Sequence, residues 1–263
     1  MAIIECNDLH KSYEKLRVLR GIDFRMEAGE GVVLLGANGC GKSTLMRCIS
    51  GLERPQQGGV RVLGTDLAQS GRRSLREART RIGMVFQKFN LVQNLSVFQN
   101  VLYGASGRHR SFWSVTAPFA ATEERDYAMH CLERVNLADR ADQRADQLSG
   151  GQQQRVAIAR TLMQQPTVVL ADEPVASLDP RSAREVMELL WGIVREERLS
   201  LLCCLHQLDF AEEFGERALG MKAGRIVLDR PMADIGRAEL DALYEGAVRV
   251  DEAETKPRLA VAS

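Results

Sequence analysis

Gly36-Ala37-Asn38-Gly39-Cys40-Gly41-Lys42-Ser43 fits the pattern G-x-x-x-x-G-K-[ST]. Each residue type in it suits one task, the cradling of a polyphosphate. Glycines let backbone N–H groups turn inward and come close to phosphate oxygens. A helix opening at Lys42 adds its positive end. The Lys42 ammonium can bridge β and γ phosphates as a compact charge, and the Ser43 hydroxyl can ligate Mg²⁺. Thr44 then falls beside the α phosphate. A glycine-rich turn with a surface lysine would share this composition but not its flanks, an apolar strand before and an amphipathic helix after.

Two further stretches carry chemistry. Val168-Val169-Leu170-Ala171-Asp172-Glu173 is an apolar strand that ends in two acids. Ligands of an open parallel sheet sit at the carboxyl ends of its strands. Asp172 is therefore expected to hold Mg²⁺ through water, and Glu173 to accept a proton from an attacking water. The same pair can be read as acids capping the next helix. Leu148-Ser149-Gly150-Gly151-Gln152 opens another helix, with Ser149 and Gln152 at the S-x-x-Q spacing of a capping box. Two glycines after the cap leave the helix N–H groups unobstructed, which makes a second anion site. One nucleotide has one polyphosphate tail, so a second site on the same chain invites a partner subunit. A plain helix cap is the other reading.

The elements that must position these residues follow from hydrophobic spacing. Ile3 to Leu9 and Gly31 to Gly36 read as strands, the second buried. Lys42 to Ser50 reads as a helix with Leu45, Cys48, Ile49 and Leu52 on one face. Gly58-Gly59 punctuates before a short strand, Val60 to Leu63. Gly71 to Arg81 carries Arg72, Arg73, Arg76, Arg79 and Arg81 against one acid, Glu77. It reads as a solvated helix face, with an anionic-partner patch as the alternative. Thr122 to Val135 is helical, with Ala128, Cys131, Leu132 and Val135 at core spacing. Gly104 to Pro118, with Trp113, looks like a loop insertion. Strands resume at Val168 to Ala171 and Leu201 to Leu205, with a helix from Pro180 to Arg195 between them. Strand–helix alternation on both sides of a helical stretch implies a parallel sheet with an inserted helical part. Ala247 to Ser263 mixes charge, Pro257 and small residues, and reads as a loosely held tail.

Composition closes off other classes. Over 263 residues, Lys+Arg and Asp+Glu are both 35, which argues against a whole-chain electrostatic partner such as bulk nucleic acid. No apolar run approaches the roughly 18 residues of a membrane span, and the first residues do not read as a secretory signal. The six cysteines form no C-x-x-C pair, so they read as small buried residues in a reducing compartment.

Taken together, the chain from about Ile3 to Arg230 resembles the ATP-binding subunits of ABC transporters. Besides the two nucleotide motifs it has LSGGQ at Leu148 to Gln152, Ser177-Leu178-Asp179 after the acid pair, Gln87 after a strand and His206 at a strand end. Within that family, Val85 to Leu91, Arg144 to Arg155, Ala171 to Pro180 and the Trp-containing insertion around Arg110 to Pro118 are most similar to the ATPases of phosphonate importers. The resemblance implies an α/β fold: a P-loop NTPase (RecA-like) parallel-sheet core, an N-terminal antiparallel β part and an inserted α-helical subdomain. It implies one nucleotide-binding domain over about 1–246, its core at about 1–88 and 164–230, its helical subdomain at about 89–163, then the tail 247–263.

The resemblance also implies roles. Tyr13 sits where an aromatic stacks on adenine. Gln87 sits where a glutamine senses Mg²⁺ and the γ phosphate while its loop faces the membrane subunit. Asp179 belongs to a loop that crosses the dimer interface, and before Pro180 it also suits a helix N-cap. His206 sits where a histidine contacts the γ phosphate and orients water. Lys42, Gln87, Glu173 and His206 are thus the expected catalytic groups. Tyr13, Gly36 to Thr44, Ser149 to Gln152 and Asp179 are the expected nucleotide contacts; Ser43, Gln87 and Asp172 are the expected metal contacts. ATP and Mg²⁺ are the implied cofactors. A homodimer, two transmembrane permease subunits and, indirectly, an extracytoplasmic solute-binding protein are the implied partners. The implied place is the cytoplasmic face of the inner membrane, as a peripheral subunit.

Two departures stand out. Cys40 occupies a position usually held by Ser or Ala, which gives the loop a thiol open to oxidation. His206 is followed by Gln207-Leu208, as in the phosphonate subgroup. Soluble ABC ATPases of DNA repair or translation usually carry a long coiled-coil insertion or two fused nucleotide domains, and neither is present. A P-loop kinase or GTPase has no use for LSGGQ, and there is no N-K-x-D guanine motif. An ATP-binding adaptor without turnover would not need Glu173 and His206.

Overall fold

The computed structural model describes residues 2–109, 116 and 118–244. The Trp113 stretch of the insertion (110–115) and the tail (247–263) lie outside the described residues. Two sheets organise the rest. The smaller comprises β1 (Ala2–Tyr13), β2 (Leu16–Glu27), β4 (Gln57–Val62) and β5 (Thr65–Asp66), all antiparallel, in the order β2-β1-β4-β5. The larger runs β10-β9-β3-β8-β7-β6, built from β3 (Gly31–Leu35), β6 (Ile82–Phe86), β7 (Val168–Asp172), β8 (Ser200–Cys204), β9 (Arg217–Lys222) and β10 (Arg225–Pro231). Only β10 is antiparallel to its neighbour in this sheet.

The central strands are parallel because both of their faces are covered. Val32, Leu34, Val168, Leu170, Leu202 and Cys204 face one core, which they share with the small sheet and with Leu45, Met46 and Ile49 of α1 (Lys42–Ile49). Val33, Leu35, Val169, Ala171, Leu201 and Cys203 face the other, with α6 (Pro180–Glu196) and the helical part. Alternate residues of one strand thus serve two cores, which explains why these strands read as continuous apolar runs. Parallel pairing also aligns strand ends. Phe86 sits opposite Asp172, Asp172 opposite Cys204, and Cys204 opposite Leu34. The loops that carry Gly36, Gln87, Glu173 and His206 therefore leave the sheet along one edge.

The helical part contains α3 (Val97–Leu102), α4 (Thr122–Arg134) and α5 (Gly150–Met163), while α2 (Arg72–Thr80) lies on the core side. Ala128, Cys131, Leu132 and Val135 are all buried, as their spacing implies. Leu132→Ala removes a fully buried side chain from this shared core. It is expected to destabilise the chain by about 2–5 kcal/mol, read as a lower urea midpoint. A loss below about 1 kcal/mol would mean that the helical part does not share that core.

Two expectations fail. Leu52 does not join the apolar face of α1 and is 54% exposed, because the helix ends at Ile49 and Gly51, at φ +69°, turns the chain away. Gly58-Gly59 lies inside β4 rather than before it. Gly58, at φ +79°, presses on β1 so closely that a Cβ there would lie 2.0 Å from the Asp8 carbonyl oxygen. The pair accommodates an irregularity in β1–β4 pairing between Asn7 and His10. The six cysteines are all free and buried. On α2, Leu75 and Ala78 turn inward, Arg73 pairs with Glu77 in solvent, and Arg79 donates to the Gly51 carbonyl.

Candidate functional site

The loop between β3 and α1 is shaped by backbone crowding. At Gly36 (φ +145°) a Cβ would sit 2.3 Å from the Met221 carbonyl oxygen, and Gly41 adopts φ +112°. Gly41 is the N-cap of α1 and offers no side-chain acceptor, and the first turn of the helix holds no acid. The positive end of α1 is therefore left for an external anion. Lys42 is only 5% exposed. Its Nζ donates to the carbonyls of Gly36 (2.8 Å) and Ala37 (3.3 Å) and lies 4.0 Å from Glu173 Oε1. The ammonium is thus held at the phosphate cradle by its own loop. Burial pushes the Cys40 thiol up, against the opposing charge of Lys42, so thiolate formation and oxidation at this position are disfavoured.

The acid pair stands next to this loop. Ser43 Oγ donates to Asp172 Oδ1 at 3.3 Å. Two hard oxygen donors at that spacing suit Mg²⁺. Glu173 takes a left-handed backbone, φ +49°, and its N–H donates to the Cys204 carbonyl at 3.2 Å. A non-glycine residue there costs on the order of 1–3 kcal/mol and persists only where its surroundings impose it. The imposed turn takes the carboxyl out of the line of β7 and toward Lys42. Neither acid caps the following helix, since Asp179 fills that role by accepting from the N–H groups of Arg181 and Ser182.

His206 leaves the end of β8 and is exposed, with its ring stacked on Tyr244. Gln87 is exposed at the end of β6, where its carbonyl accepts from the Ser177 hydroxyl at 3.4 Å. Tyr13 ends β1 at the mouth of the loop. Its hydroxyl donates to Glu53, and Lys11 sits 5.2 Å from its ring centroid. Partial burial and the Glu53 hydrogen bond push the Tyr13 phenol up to about 12. The other histidines face acids: His10 meets Asp8, His109 meets Glu124 and His130 meets Glu133.

The helix start expected to be a second anion site lies against the 177–182 segment. Ser149 and Gln152 form a full capping box at the start of α5, with the Ser149 N–H donating to Gln152 Oε1 at 3.0 Å. A Cβ at Gly150 would lie 3.2 Å from Leu178, and one at Gly151 would lie 3.0 Å from Ser182. The glycines therefore also let the 177–182 segment approach, a purpose that spacing alone does not reveal.

Sequence reasoning passed over three residues. Arg160 of α5 donates to the carbonyls of Phe89 (3.1 Å) and Asn90 (2.6 Å), and so grips the loop after Gln87. Buried Asn100 ties Val92 through both its side-chain atoms, receiving its N–H at 2.8 Å and donating to its carbonyl at 3.0 Å. Tyr244 stands beside the phosphate loop. None belongs to a short local pattern; the one signal was that Asn100 is a polar residue at the spacing of the apolar positions Val97 and Val101.

The described residues contain no group of three or more His, Cys, Asp or Glu side chains able to hold a metal, and no helix long and apolar enough to cross a membrane. Residues 19–176 match the family model described as ABC transporter. The chain is 46% identical over 258 residues to the phosphate-import ATP-binding protein PhnC of Mycolicibacterium smegmatis, covering 97% of this chain and 96% of the relative. It is 47% identical over 245 residues to the phosphonates import ATP-binding protein PhnC of Frankia casuarinae, covering 92% and 96%. A solved dimeric ATP-binding cassette, in a post-hydrolysis state bound to ADP and Pi, superposes with a TM-score of 0.76 at 31% identity, covering 87% of this chain and 98% of that one.

Proposed function

Because this chain belongs to the ABC transporter family, we propose that it is the ATP-hydrolysing subunit of an importer, driving uptake of phosphonate. The observation that carries the reading is the shared edge of the large sheet. There the Lys42 loop, Asp172, Glu173, Gln87 and His206 come to one edge, while the Ser149 helix start lies against Leu178 and Phe89. On this reading the first group is one half of a nucleotide site, and the Ser149 helix start of a second copy is the other half.

ATP enters with its triphosphate on the Lys42 loop and its adenine against Tyr13. The Lys42 ammonium exchanges the Gly36 and Ala37 carbonyls for phosphate oxygens. Ser43 and Asp172, with Gln87 nearby, would hold Mg²⁺, which neutralises phosphate charge when bound. Glu173 takes a proton from water, the water oxygen attacks the γ phosphorus, and the bond to the β phosphate oxygen breaks to release ADP. His206 orients that water. A second protomer, turned head to tail, lays Ser149, Gly150 and Gly151 on the same triphosphate, with Asp179 at the seam. Nucleotide thus favours the closed dimer, and hydrolysis removes the bridge.

The same reading treats residues 1–246 as one nucleotide-binding domain, with a helical subdomain at about 89–163 inserted between core segments at about 1–88 and 164–230, and 247–263 as a tail. Two permease subunits supply the channel, a solute-binding protein delivers to them, and this chain sits at the cytoplasmic face of the membrane. The name of the M. smegmatis relative favours a second solute, phosphate. Growth separates the two. A strain lacking this gene is expected to fail on a phosphonate as sole phosphorus source and to grow normally on phosphate. The opposite pattern would reassign the solute to phosphate, and unimpaired growth on both would remove import of either as the function.

A further inference from the structure

An imidazole that must orient water needs its own ring fixed, a task usually given to a hydrogen bond on one ring nitrogen. Among the described residues, no such bond reaches the His206 ring. What meets it is Tyr244, at a centroid distance of 5.6 Å and an interplanar angle of 12°. That geometry is an offset aromatic stack. The far end of the same tyrosine touches the phosphate loop, where Oη accepts from the Gly36 N–H at 3.4 Å. Burial pushes the Tyr244 phenol up, against the opposing Gly36 N–H, so the hydroxyl stays neutral.

The two rings are brought together by two short helices fastened to each other. His206 stands two residues before α7 (Leu208–Phe214), and Tyr244 two residues after α8 (Arg237–Ala242). Arg237 at the start of α8 donates to Asp209 and to Glu212 of α7, both at 2.9 Å. The end of α8 is tied by Lys222, which donates to the Ala242 carbonyl at 3.0 Å, and Leu240 and Leu243 are buried. Leu243 lies so close to β9 that a Cβ on Gly220 would be 2.8 Å from it. A side chain held this firmly can hold another.

We infer that Tyr244 is a positioning residue for ATP hydrolysis, fixing the His206 ring by stacking and tying it to the phosphate loop at Gly36. The inference rests on the proposed role of His206. The stack is expected to matter more than the hydroxyl, because the Gly36 contact is long for a hydrogen bond.

The test uses the full chain and measures steady-state ATPase together with the His206 Cε1–H NMR resonance, identified by its loss in His206→Ala. Tyr244→Leu is expected to lower kcat about tenfold, with KM for ATP within about twofold. It should also shift the His206 resonance, since the ring current is gone. Tyr244→Gln, a second side chain without a ring, keeps the test open should the leucine variant not fold. Tyr244→Phe keeps the stack and should recover most of kcat and the resonance position. His206→Ala combined with Tyr244→Leu should be no slower than His206→Ala alone. Wild-type kcat in a folded ring-less variant beside an inactive His206→Ala, an unmoved resonance, or additive losses would each overturn the role of Tyr244 alone. Normal turnover in His206→Ala would overturn the reading of His206, and the inference with it.

Discussion

Glu173→Gln is expected to bind MgATP with near-native affinity and to hydrolyse it about 10²- to 10⁴-fold more slowly, the usual worth of a positioned general base. The substitution keeps the size of the side chain and removes only its capacity to take a proton. The strained backbone at φ +49° and its N–H bond to Cys204 are untouched, so the loop keeps its shape. Binding should survive because the proposed phosphate contacts are Gly36 to Thr44, not Glu173. With hydrolysis stalled, the triphosphate remains between protomers, and dimers should accumulate by size-exclusion chromatography with MgATP. Turnover within about threefold of wild type would remove Glu173 as the base. A monomer under those conditions would undo the head-to-tail arrangement.

Lys42→Ala should lose nucleotide affinity and turnover together, with kcat/KM falling on the order of 10²-fold or more. The ammonium is buried at the cradle, in a setting where charge interacts strongly with phosphate because water is scarce. Two opposing effects set what happens without nucleotide. Alanine removes the desolvation cost of a buried cation, but it leaves the Gly36 and Ala37 carbonyls without their donor. These nearly offset, so the melting temperature of the nucleotide-free chain should move little while binding collapses. Tight ATP binding by this variant, measured by isothermal titration, would withdraw the contact assigned to Lys42.

Much of this site was legible because its parts are local. The loop from Gly36 to Ser43, the strand ending in Asp172-Glu173 and the cap at Ser149 each occupy fewer than ten consecutive residues, and backbone physics ties each pattern to one geometry. The helices from Lys42 and Pro180 and the strands around them were likewise visible in apolar spacing. What escaped depends on the approach of distant segments. Leu52 suits the helical period of α1, but the period holds only while the helix lasts. Gly58-Gly59 resembles a turn in composition, and only the neighbouring strand reveals a close-approach site. Arg160 binds a loop about seventy positions away and Tyr244 a histidine thirty-eight positions away, so no window of sequence contains either pair.

One helix joins what the motifs present as separate. The first turn of α5 carries the Ser149 cap, its later turns grip the carbonyls of Phe89 and Asn90 through Arg160, and Gln164, which caps its far end, donates to those of Arg79, Thr80 and Ile82. At 1.5 Å per residue, 14 residues make a rod about 21 Å long. Such a rod joins the loop after Gln87 to the Ser149 tip: Arg160 holds the loop's carbonyls at one end, and the Phe89 ring faces Gly150 at the other. Linkage then requires reciprocity, so whatever presses on the Gln87 loop and alters the grip of the distal tip must itself be gripped differently, by the same factor, once that tip is engaged.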